Sequence, residues 1–366
     1  MTKFGRLVIV GLGLIGGSLA MAWKKAAVAE EIVGVDIDDA VCTMAETMGA
    51  VDWATREVAE AVSKAQVVVL AVPVAKIEQV AELVLKHIPR QCLITDVGST
   101  KAGLTGRLSD IFAHRGTYIG GHPMAGSEQT GIAGADPYLF ENAVYILTPR
   151  QENIPAVDQL ALLVGKLGAR SIIMPPGQHD AIVAAVSHLP HVVAAGLVNT
   201  ASGVEERFPR TLMLAAGGFR DTTRIASGDP GLWQGICRAN KEQLLQVLKE
   251  FQHNITHFIH LLAADDTDGI KGYLTRARIT RESIPAKRRG FLPQVFDLVV
   301  TVPDRPGMIG SLAQLLGGHG VNIADIEILR AREGDGGTIR LGVQSAEALD
   351  RAVELLAGAG YPVRKL

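Results

Sequence analysis

A glycine-rich turn near the amino terminus restricts the fold of this chain more than any other feature. The turn reads Gly11-Leu-Gly13-Leu-Ile-Gly16, follows the β-branched run at residues 6–10, and opens an uncharged stretch with a helical pattern. The first glycine allows a tight turn, the second lets a phosphate approach the backbone, and the third lets the helix pack against the strand. The pattern predicts the first strand, turn and helix of a dinucleotide-binding unit, although a plain glycine-rich turn would contain the same residues.

The end of the second predicted strand supports the dinucleotide prediction. The apolar run at residues 32–35 ends at Asp36, which lies 20 residues after Gly16. A carboxylate at that place accepts hydrogen bonds from the adenosine ribose and repels a 2′-phosphate. The two features together predict a site for NAD rather than NADP. The predicted cofactor-binding residues are Gly11, Gly13, Leu14, Ile15, Gly16 and Asp36.

The distribution of strand and helix patterns predicts three domains. Short apolar runs alternate with helical patterns in the first half, which predicts a parallel sheet covered by helices on both faces, a Rossmann-type α/β fold. The strand patterns stop near Pro176, and helical patterns follow from residue 178 to residue 283. The last 72 residues run strand, helix, strand, strand, helix, strand, a small ferredoxin-like α+β module. The predicted strands of the large sheet are residues 6–10, 32–35, 67–72, 92–95, 117–119 and 144–147. The predicted domain limits are 1–176 for the NAD-binding Rossmann domain, 177–283 for the helical domain, 284–294 for a linker and 295–366 for the last domain.

One predicted helix carries an apolar stripe. Its apolar residues are spaced alternately four and three apart, so they lie on one face and pack against a helix of the same chain or of a second subunit. We therefore expect a homodimer. Three histidines on the opposite face, at positions 253, 257 and 260, lack the glutamate of a metalloprotease motif, so we expect a solvated face and no metal. The stripe consists of Leu244, Leu248, Phe251, Ile255, Phe258 and Leu262.

Charge and cysteine content argue against several other classes of protein. The 36 basic and 38 acidic side chains leave a net charge of −2, which gives no general attraction to nucleic acid or to an anionic membrane. The three cysteines are widely spaced and form no CxxC pair, so we expect a reducing cytoplasm and neither a disulfide framework nor a zinc site. The uncharged run at residues 7–23 is similar to a leader peptide, but its glycines and the strand after it favour a place in the fold. We expect no other run to reach the roughly 18 apolar residues of a membrane span.

Two polar loops follow neighbouring predicted strands. The segment DVGSTK begins at Asp96 after the fourth strand, and the segment GGHPMAGSE begins at Gly120 after the fifth. Open α/β sheets bind ligands at the carboxyl ends of their strands. His122, between a glycine pair and a proline, is therefore a candidate for proton transfer near neutral pH, and a loop histidine that bonds a backbone carbonyl is the alternative.

The order of the motifs resembles that of the prephenate dehydrogenase family. The motifs are GLGLIGGS, DVGSTK, GGHPMAGSE, SHLPH, GGFRDTTRIA and the stretch at residues 230–233, and they span most of the chain. The resemblance implies that prephenate and NAD give 4-hydroxyphenylpyruvate, carbon dioxide and NADH, without a metal. Such a reaction needs a base, cations for two carboxylates and an oriented cofactor.

The resemblance also assigns roles to individual residues. His122 is the base that takes the ring hydroxyl proton, and Ser99 forms a hydrogen bond near the same hydroxyl and the nicotinamide. Arg224 is the clamp for a substrate carboxylate, and an ordinary ion pair with Asp221 is an alternative that is compatible with this role. For the two histidines of SHLPH, packing at the start of a helix is the alternative. The other implied residues are Glu128 and Asp221, which orient Arg224, and His191, His188, Gly217 and Trp233, which line the substrate pocket.

The carboxyl-terminal module resembles an ACT domain, a regulatory sensor of amino acids. Its signals are Asp304, Pro306 and Gly307 before a helix and Asn322 at the start of the next strand. Ile309 stands where ACT domains usually carry leucine, a small departure. The resemblance implies that L-tyrosine binds this module and lowers activity, and a module that only aids dimerisation is the alternative.

Three other functions remain open at the level of sequence. An arogenate dehydrogenase would need an acidic side chain that faces the substrate ammonium, and the sequence does not place one. A β-hydroxyacid dehydrogenase usually relies on a lysine base, and it explains neither GGHPMAG nor the last module. A non-catalytic sensor of NAD or amino acids would not need His122, Ser99 and Arg224 together.

Overall fold

The structure, a computed structural model, describes residues 3–126, 129–150, 154–284, 296–303, 305–330 and 337–365. The chain divides into two compact units, Met1–Gly290 and Phe291–Leu366. Residues 285–295 lie outside the described part, so the linker at 284–294 stays a prediction.

An eight-stranded sheet forms the centre of the first unit. Its spatial order is β3-β2-β1-β4-β5-β6-β7-β8, and neighbouring strands from β3 to β6 are parallel, as the sequence predicts. The short β3 and the last strand β8 were not among the predicted strands. The strands are β1 (Phe4–Val10), β2 (Ala29–Val35), β3 (Trp53–Thr55), β4 (Val67–Leu70), β5 (Cys92–Asp96), β6 (Gly116–Pro123), β7 (Val144–Thr148) and β8 (Arg170–Ile173).

The seventh strand corrects the prediction of a wholly parallel sheet. β7 pairs antiparallel with β6, and β8 runs parallel to β7. A parallel return needs a crossover of a dozen or more residues, usually a helix. The described residues between β6 and β7 contain only the short 3₁₀ turn Ile132–Gly134, so the chain returns in the opposite direction.

Helices cover both faces of this sheet. On one face Trp23 of α1 packs with Leu160 and Leu163 of α6, and its indole Nε1 donates a 3.0 Å hydrogen bond to the Leu163 carbonyl. On the other face the apolar sides of α4 and α5 pack against the strands, with Phe112 fully buried. The helices on the two faces together are α1 (Leu14–Lys25), α2 (Asp39–Thr47), α3 (Val58–Val62), α4 (Val74–His87), α5 (Ala102–Phe112) and α6 (Ile154–Gly165).

Between β8 and residue 284 the described chain contains helices and no strand, which confirms the predicted helical segment. They are α7 (Pro176–Val183), α8 (Leu189–Glu205), α9 (Gly217–Thr223), α10 (Pro230–Ala239), α11 (Lys241–Ala263) and α12 (Thr267–Ser283), and a π-helical turn, Ala184–His188, joins α7 to α8.

The helical segment leaves apolar surface uncovered within the chain. The predicted stripe lies on α11, where Ile255 is 43% exposed and Leu262 is 53% exposed. The continuous helical run Pro176–Glu205 is also long and apolar enough, by length and composition alone, to cross a membrane, which corrects the expectation that no such run exists. An apolar helix at a subunit interface has the same length and composition.

The second unit is a four-stranded antiparallel sheet with two helices. The spatial order is β10-β11-β9-β12, and the buried side chains of α13 and α14 pack on one face of the sheet, as in the predicted ferredoxin-like module. Asp304 lies outside the described residues. The elements are β9 (Phe296–Val302), α13 (Met308–Gly318), β10 (Ile323–Arg330), β11 (Gly337–Val343), α14 (Ala346–Gly358) and β12 (Val363–Lys365).

Candidate active site

The glycine-rich turn has the geometry that its sequence predicts. Gly11 has a φ of +97°, and a Cβ there would lie 2.5 Å from the Ala71 carbonyl oxygen. A Cβ on Gly16 would lie 1.9 Å from the Gly11 carbonyl oxygen. Any larger residue at these two places would force the backbone to shift, which confirms the predicted tight turn and the close packing of helix on strand.

The remaining glycine and the acidic residue leave room for a ligand. A Cβ on Gly13 would meet nothing within 4 Å, and Gly13 is the residue from which α1 begins. Asp36 accepts a 2.9 Å hydrogen bond from the Leu12 amide through Oδ2 and a 3.1 Å bond from the Asp38 amide through Oδ1. Its carboxylate thus fixes the turn and keeps lone pairs for another donor. Leu14 and Ile15, which open α1, are half-buried beside it.

A buried ion pair lies at the carboxyl end of β5. The Asp96 carboxylate contacts the Lys101 ammonium, and both side chains are fully buried. Asp96 also accepts hydrogen bonds from the Tyr118 hydroxyl (2.7 Å) and from the amides of Gly98 (2.8 Å) and Gly121 (3.2 Å). Burial lowers the pKa of Lys101 and, with the Asp96 charge, raises that of Tyr118. This carboxylate holds the loop after β5 against the strand that carries His122.

His122 lies at the carboxyl end of β6 and belongs to a line of three polar side chains. Its Nδ1 lies 2.8 Å from Nε2 of His179, and Nδ1 of His179 lies 2.7 Å from Oδ1 of Asp180. His179 and Asp180 are buried on α7. The Asp180 carboxylate also accepts hydrogen bonds from the backbone amides of Lys101 (2.7 Å) and Ala102 (2.8 Å).

A second group of side chains continues this line. The side-chain amide of Asn240 donates a 2.8 Å hydrogen bond to the Asp180 carbonyl and lies 3.2 Å from Nδ1 of His188. The Trp233 ring stacks on His191 at a centroid distance of 3.5 Å and meets His188 edge-on at 6.1 Å. Three residues predicted to line the substrate site thus lie together and are connected to His122 through Asn240 and Asp180.

Three histidines of this cluster, His122, His188 and His191, have a pKa below the ordinary value. Burial, with the Lys101 ammonium as the next cause, holds the pKa of His122 well below its usual range. Burial lowers the pKa of His188 to about 4 and also lowers that of His191. The ring Nδ1 of His191 is buried and has no hydrogen-bond partner among the described residues. A neutral imidazole keeps a free lone pair, which is the form a proton acceptor needs.

Other predicted residues lie in the same unit without a contact that tests their roles. Ser99 is half-buried in the loop between β5 and α5. Arg224 is exposed at the end of α9, with Asp221 and Gly217 earlier in that helix. Glu128 lies outside the described residues. The structure describes no group of three or more His, Cys, Asp or Glu side chains that could hold a metal ion, and His253, His257 and His260 are exposed, as predicted.

Sequence reasoning missed five members of the cluster. Lys101 and Asp96 were quoted as parts of DVGSTK without a role, and His179, Asp180 and Asn240 were not singled out. The available signal was the adjacent His-Asp pair that begins three residues after Pro176, at the start of the helical segment.

The glycine turn and the histidine cluster face the same side of the sheet. β1, β4, β5 and β6 are neighbours and parallel, so their carboxyl ends share one edge. A dinucleotide turn and a half-buried imidazole with a lowered pKa at this edge are the features of a nucleotide-binding dehydrogenase.

Sequence profiles agree with this class and specify it. Residues 19–173 match the profile described as prephenate dehydrogenase, nucleotide-binding domain. Residues 175–276 match prephenate dehydrogenase, dimerization domain, and residues 296–357 match the ACT domain. The chain is 37% identical to a prephenate dehydrogenase of Bacillus subtilis over 352 residues, 96% of this chain and 95% of that one. The chain belongs to the prephenate dehydrogenase family.

Solved structures give the same result. A prephenate dehydrogenase from Aquifex aeolicus, in complex with hydroxyphenyl propionate and NAD+, is 30% identical with a TM-score of 0.73 and covers 78% of this chain and 99% of its own. An arogenate dehydrogenase from Synechocystis is 29% identical with a TM-score of 0.68 and covers 76% of this chain and 100% of its own.

Proposed function

We propose that this enzyme oxidises prephenate to 4-hydroxyphenylpyruvate and carbon dioxide with NAD+ as the hydride acceptor. The observation that carries the proposal is the half-buried His122, whose pKa is lowered well below the usual range, at the same sheet edge as the glycine turn. NAD+ would supply a nicotinamide carbon that accepts hydride. The open Gly13 and the Asp36 carboxylate fit its pyrophosphate and adenosine ribose.

In this proposal the protein performs three tasks. His122 takes the ring hydroxyl proton, so that hydride leaves the same carbon more readily, and the ring becomes aromatic as carbon dioxide departs. Ser99 forms a hydrogen bond to that hydroxyl, and Arg224 binds a substrate carboxylate through parallel hydrogen bonds. We assign the pocket lining to His188, His191, Gly217 and Trp233, and the orientation of Arg224 to Asp221 and Glu128.

The assay that tests the activity is NADH formation with prephenate and with arogenate, each with NAD+ and with NADP+. We expect the highest kcat/KM with prephenate and NAD+. Because the Synechocystis relative is an arogenate dehydrogenase, a preference for arogenate is the competing outcome. His122→Asn should lower kcat roughly 10²- to 10⁴-fold while the affinity for NAD+ stays nearly unchanged. Turnover of this variant within about a factor of two of the wild type would remove His122 from the role of base.

Tyrosine regulation through the ACT domain is a separate part of the proposal. Gly307, with a φ of +88°, begins α13 after the end of β9, and Pro306 beside it is exposed. Asn322 is also exposed, but it lies before β10, which begins level with the start of β9 at the other end of the sheet. Exposed backbone amides at a helix start suit the carboxylate of an amino acid, and Asp304 would bind its ammonium. Unequal binding of L-tyrosine to two arrangements of the enzyme would then lower activity.

A chain that ends at Ser283 tests this regulation. The first unit has its own sheet, cores and helical segment, so we expect the shortened chain to fold and to remain active without tyrosine inhibition. If inhibition is undiminished, tyrosine acts elsewhere, for example as a product analogue in the active site.

Assembly and location complete the proposal. The exposed apolar residues of α11 and of the helical run at 176–205 would pack between two subunits rather than in a membrane, which the mass of the enzyme in solution tests. Three free cysteines fit a cytoplasmic enzyme, and nothing in the charge distribution calls for nucleic acid. We keep the domain limits at residues 176, 283 and 294.

A further inference from the structure

The Nδ1 nitrogen of His122 is in contact with a second histidine. Nδ1 of His122 lies 2.8 Å from Nε2 of His179, whose Nδ1 lies 2.7 Å from Oδ1 of Asp180. His179 is fully buried and Asp180 is 1% exposed, so water does not compete for these contacts. The three side chains form a fixed series in which each contact restricts the next.

The carboxylate decides the direction of every hydrogen bond in this series. The amides of Lys101 and Ala102 donate to the two Asp180 oxygens, so the group is an acceptor. Nδ1 of His179 must therefore carry the hydrogen that it shares with Asp180. An imidazole with its one hydrogen on Nδ1 has a lone pair on Nε2, and in His179 this lone pair would accept the hydrogen on Nδ1 of His122.

The consequence is a single tautomer for His122. With its hydrogen on Nδ1, the ring has a lone pair on Nε2, the nitrogen that His179 does not contact. We propose that His179 and Asp180 are positioning residues that hold His122 in the Nδ1–H tautomer, with Nε2 free to accept the substrate proton. The proposal rests on the function proposed above for His122.

The same pair stabilises the charge that the reaction creates. When the substrate O–H bond breaks and an Nε2–H bond forms, His122 becomes an imidazolium. Its Nδ1–H then donates to the His179 ring, which is polarised by the Asp180 carboxylate. His179 and Asp180 are buried, so the two hydrogen bonds in series act where electrostatic interactions are strong.

Asp180 also ties the helical segment to the loop that carries Ser99. Its two amide contacts lie at the start of α5, at the end of that loop, whereas His179 and Asp180 belong to α7. The Asp180 carboxylate therefore fixes both the position of α7 against the start of α5 and the orientation of the His179 ring. Removing it disturbs packing, so His179 provides the cleaner kinetic test.

Two substitutions of His179 separate positioning from packing. In His179→Gln the side-chain carbonyl oxygen can take the place of Nε2 and accept the His122 hydrogen, whereas His179→Phe keeps the ring volume and accepts nothing. We expect kcat to fall roughly 10²- to 10⁴-fold in His179→Phe and by less than about tenfold in His179→Gln, with KM for NAD+ unchanged in both. The exposed His253→Phe is the matched control and should behave as the wild type. Equal losses in the two His179 variants, or no loss in His179→Phe, would overturn the proposal.

A second measurement needs neither substrate nor turnover. Histidine-¹⁵N nuclear magnetic resonance of the full chain reports which ring nitrogen carries hydrogen, and the signals of His122 are those missing from His122→Asn. We expect a protonated Nδ1 and a bare Nε2 in the wild type, and a mixture of tautomers in His179→Phe. Hydrogen on Nε2 of His122 in the wild type would refute the tautomer assignment even if the variant does not fold. If the enzyme oxidises neither prephenate nor arogenate, the proposed function fails, and this spectrum still decides the role of His179.

Discussion

The second and third glycines of the turn should respond differently to the same added methyl group. Gly16→Ala brings a Cβ to 1.9 Å from the Gly11 carbonyl oxygen and 3.1 Å from the Ala71 Cβ, so backbone must move by about 1.1 Å to reach even a 3.0 Å contact. Gly13→Ala places its Cβ in open space, and its φ of −72° suits alanine.

The magnitudes follow from these contacts. Overpacking against fixed backbone costs about 3 kcal/mol, and the helix preference of alanine returns about 1 kcal/mol, so we expect Gly16→Ala to lose about 2 kcal/mol of unfolding free energy. For a unit of this size the loss lowers Tm by roughly 4–8 °C. At Gly13 alanine is only a poorer helix cap, worth about 0.5 kcal/mol, or a Tm change of roughly 1–2 °C.

For NAD+ binding we expect the larger effect from Gly13→Ala. The alanine methyl at residue 13 occupies the space through which pyrophosphate reaches the backbone, so the Kd for NAD+ should rise at least about tenfold, equivalent to about 1.4 kcal/mol. Thermal unfolding without ligand and calorimetric titration with NAD+ measure the two effects on the same samples. A Gly13→Ala enzyme that binds NAD+ as the wild type does, or a Gly16→Ala enzyme with an unchanged Tm, would show that the turn does not work in this way.

Three further outcomes follow from single residues. Asp36→Ser should narrow the preference for NAD+ over NADP+, mainly by weakening NAD+, and equal kcat/KM for both cofactors in the wild type would contradict the role of Asp36. Arg224→Ala should raise KM for prephenate far more than KM for NAD+, and Arg224→Lys should restore KM for prephenate only partly. If neither KM changes, an ion pair of Arg224 with Asp221 is the better interpretation. Because burial lowers the pKa of His188 to about 4 while the unfolded chain binds this proton near 6.5, the free energy of unfolding should fall as pH decreases from 6.5 to 4. His188→Gln should reduce that decline in denaturation curves recorded across this range, and parallel curves for the two proteins would be the contrary result.

The sequence predicts the order of the elements well because each local pattern matches a local structure. The turn after β1, the helical segment after Pro176 and the final α+β module need no distant information. Strand direction is different, because an apolar run such as that of β7 is equally compatible with either direction. The structure shows that β7 runs antiparallel to β6. The described residues before β7 contain no crossover helix, which explains this direction.

The site follows the same division between local and distant information. Asp36 was a candidate because of its distance to the glycines. His122 was predicted to lie on a loop after the fifth strand, but it lies within β6 and pairs with Ile146 of β7, because the strand continues four residues beyond its predicted end. His179 lies 57 residues from His122 in the chain, and their contact depends on how α7 packs against the sheet. The helix has no motif that marks such a partner, so only the structure brings the two rings together. The run at 176–205 illustrates the same point, because hydropathy alone does not say what its apolar residues contact.

The contact between His122 and His179 also bears on how such enzymes can diversify. His122 lies in the segment matched by the nucleotide-binding profile, and His179 lies in the segment matched by the dimerization profile. Recombination that joins these segments from two distant relatives would preserve each fold but would separate rings that were selected together. The two segments should therefore be inherited as one unit. Residues 296–357 match a separate profile and contain neither histidine of the pair, so their gain or loss should leave the pair unchanged.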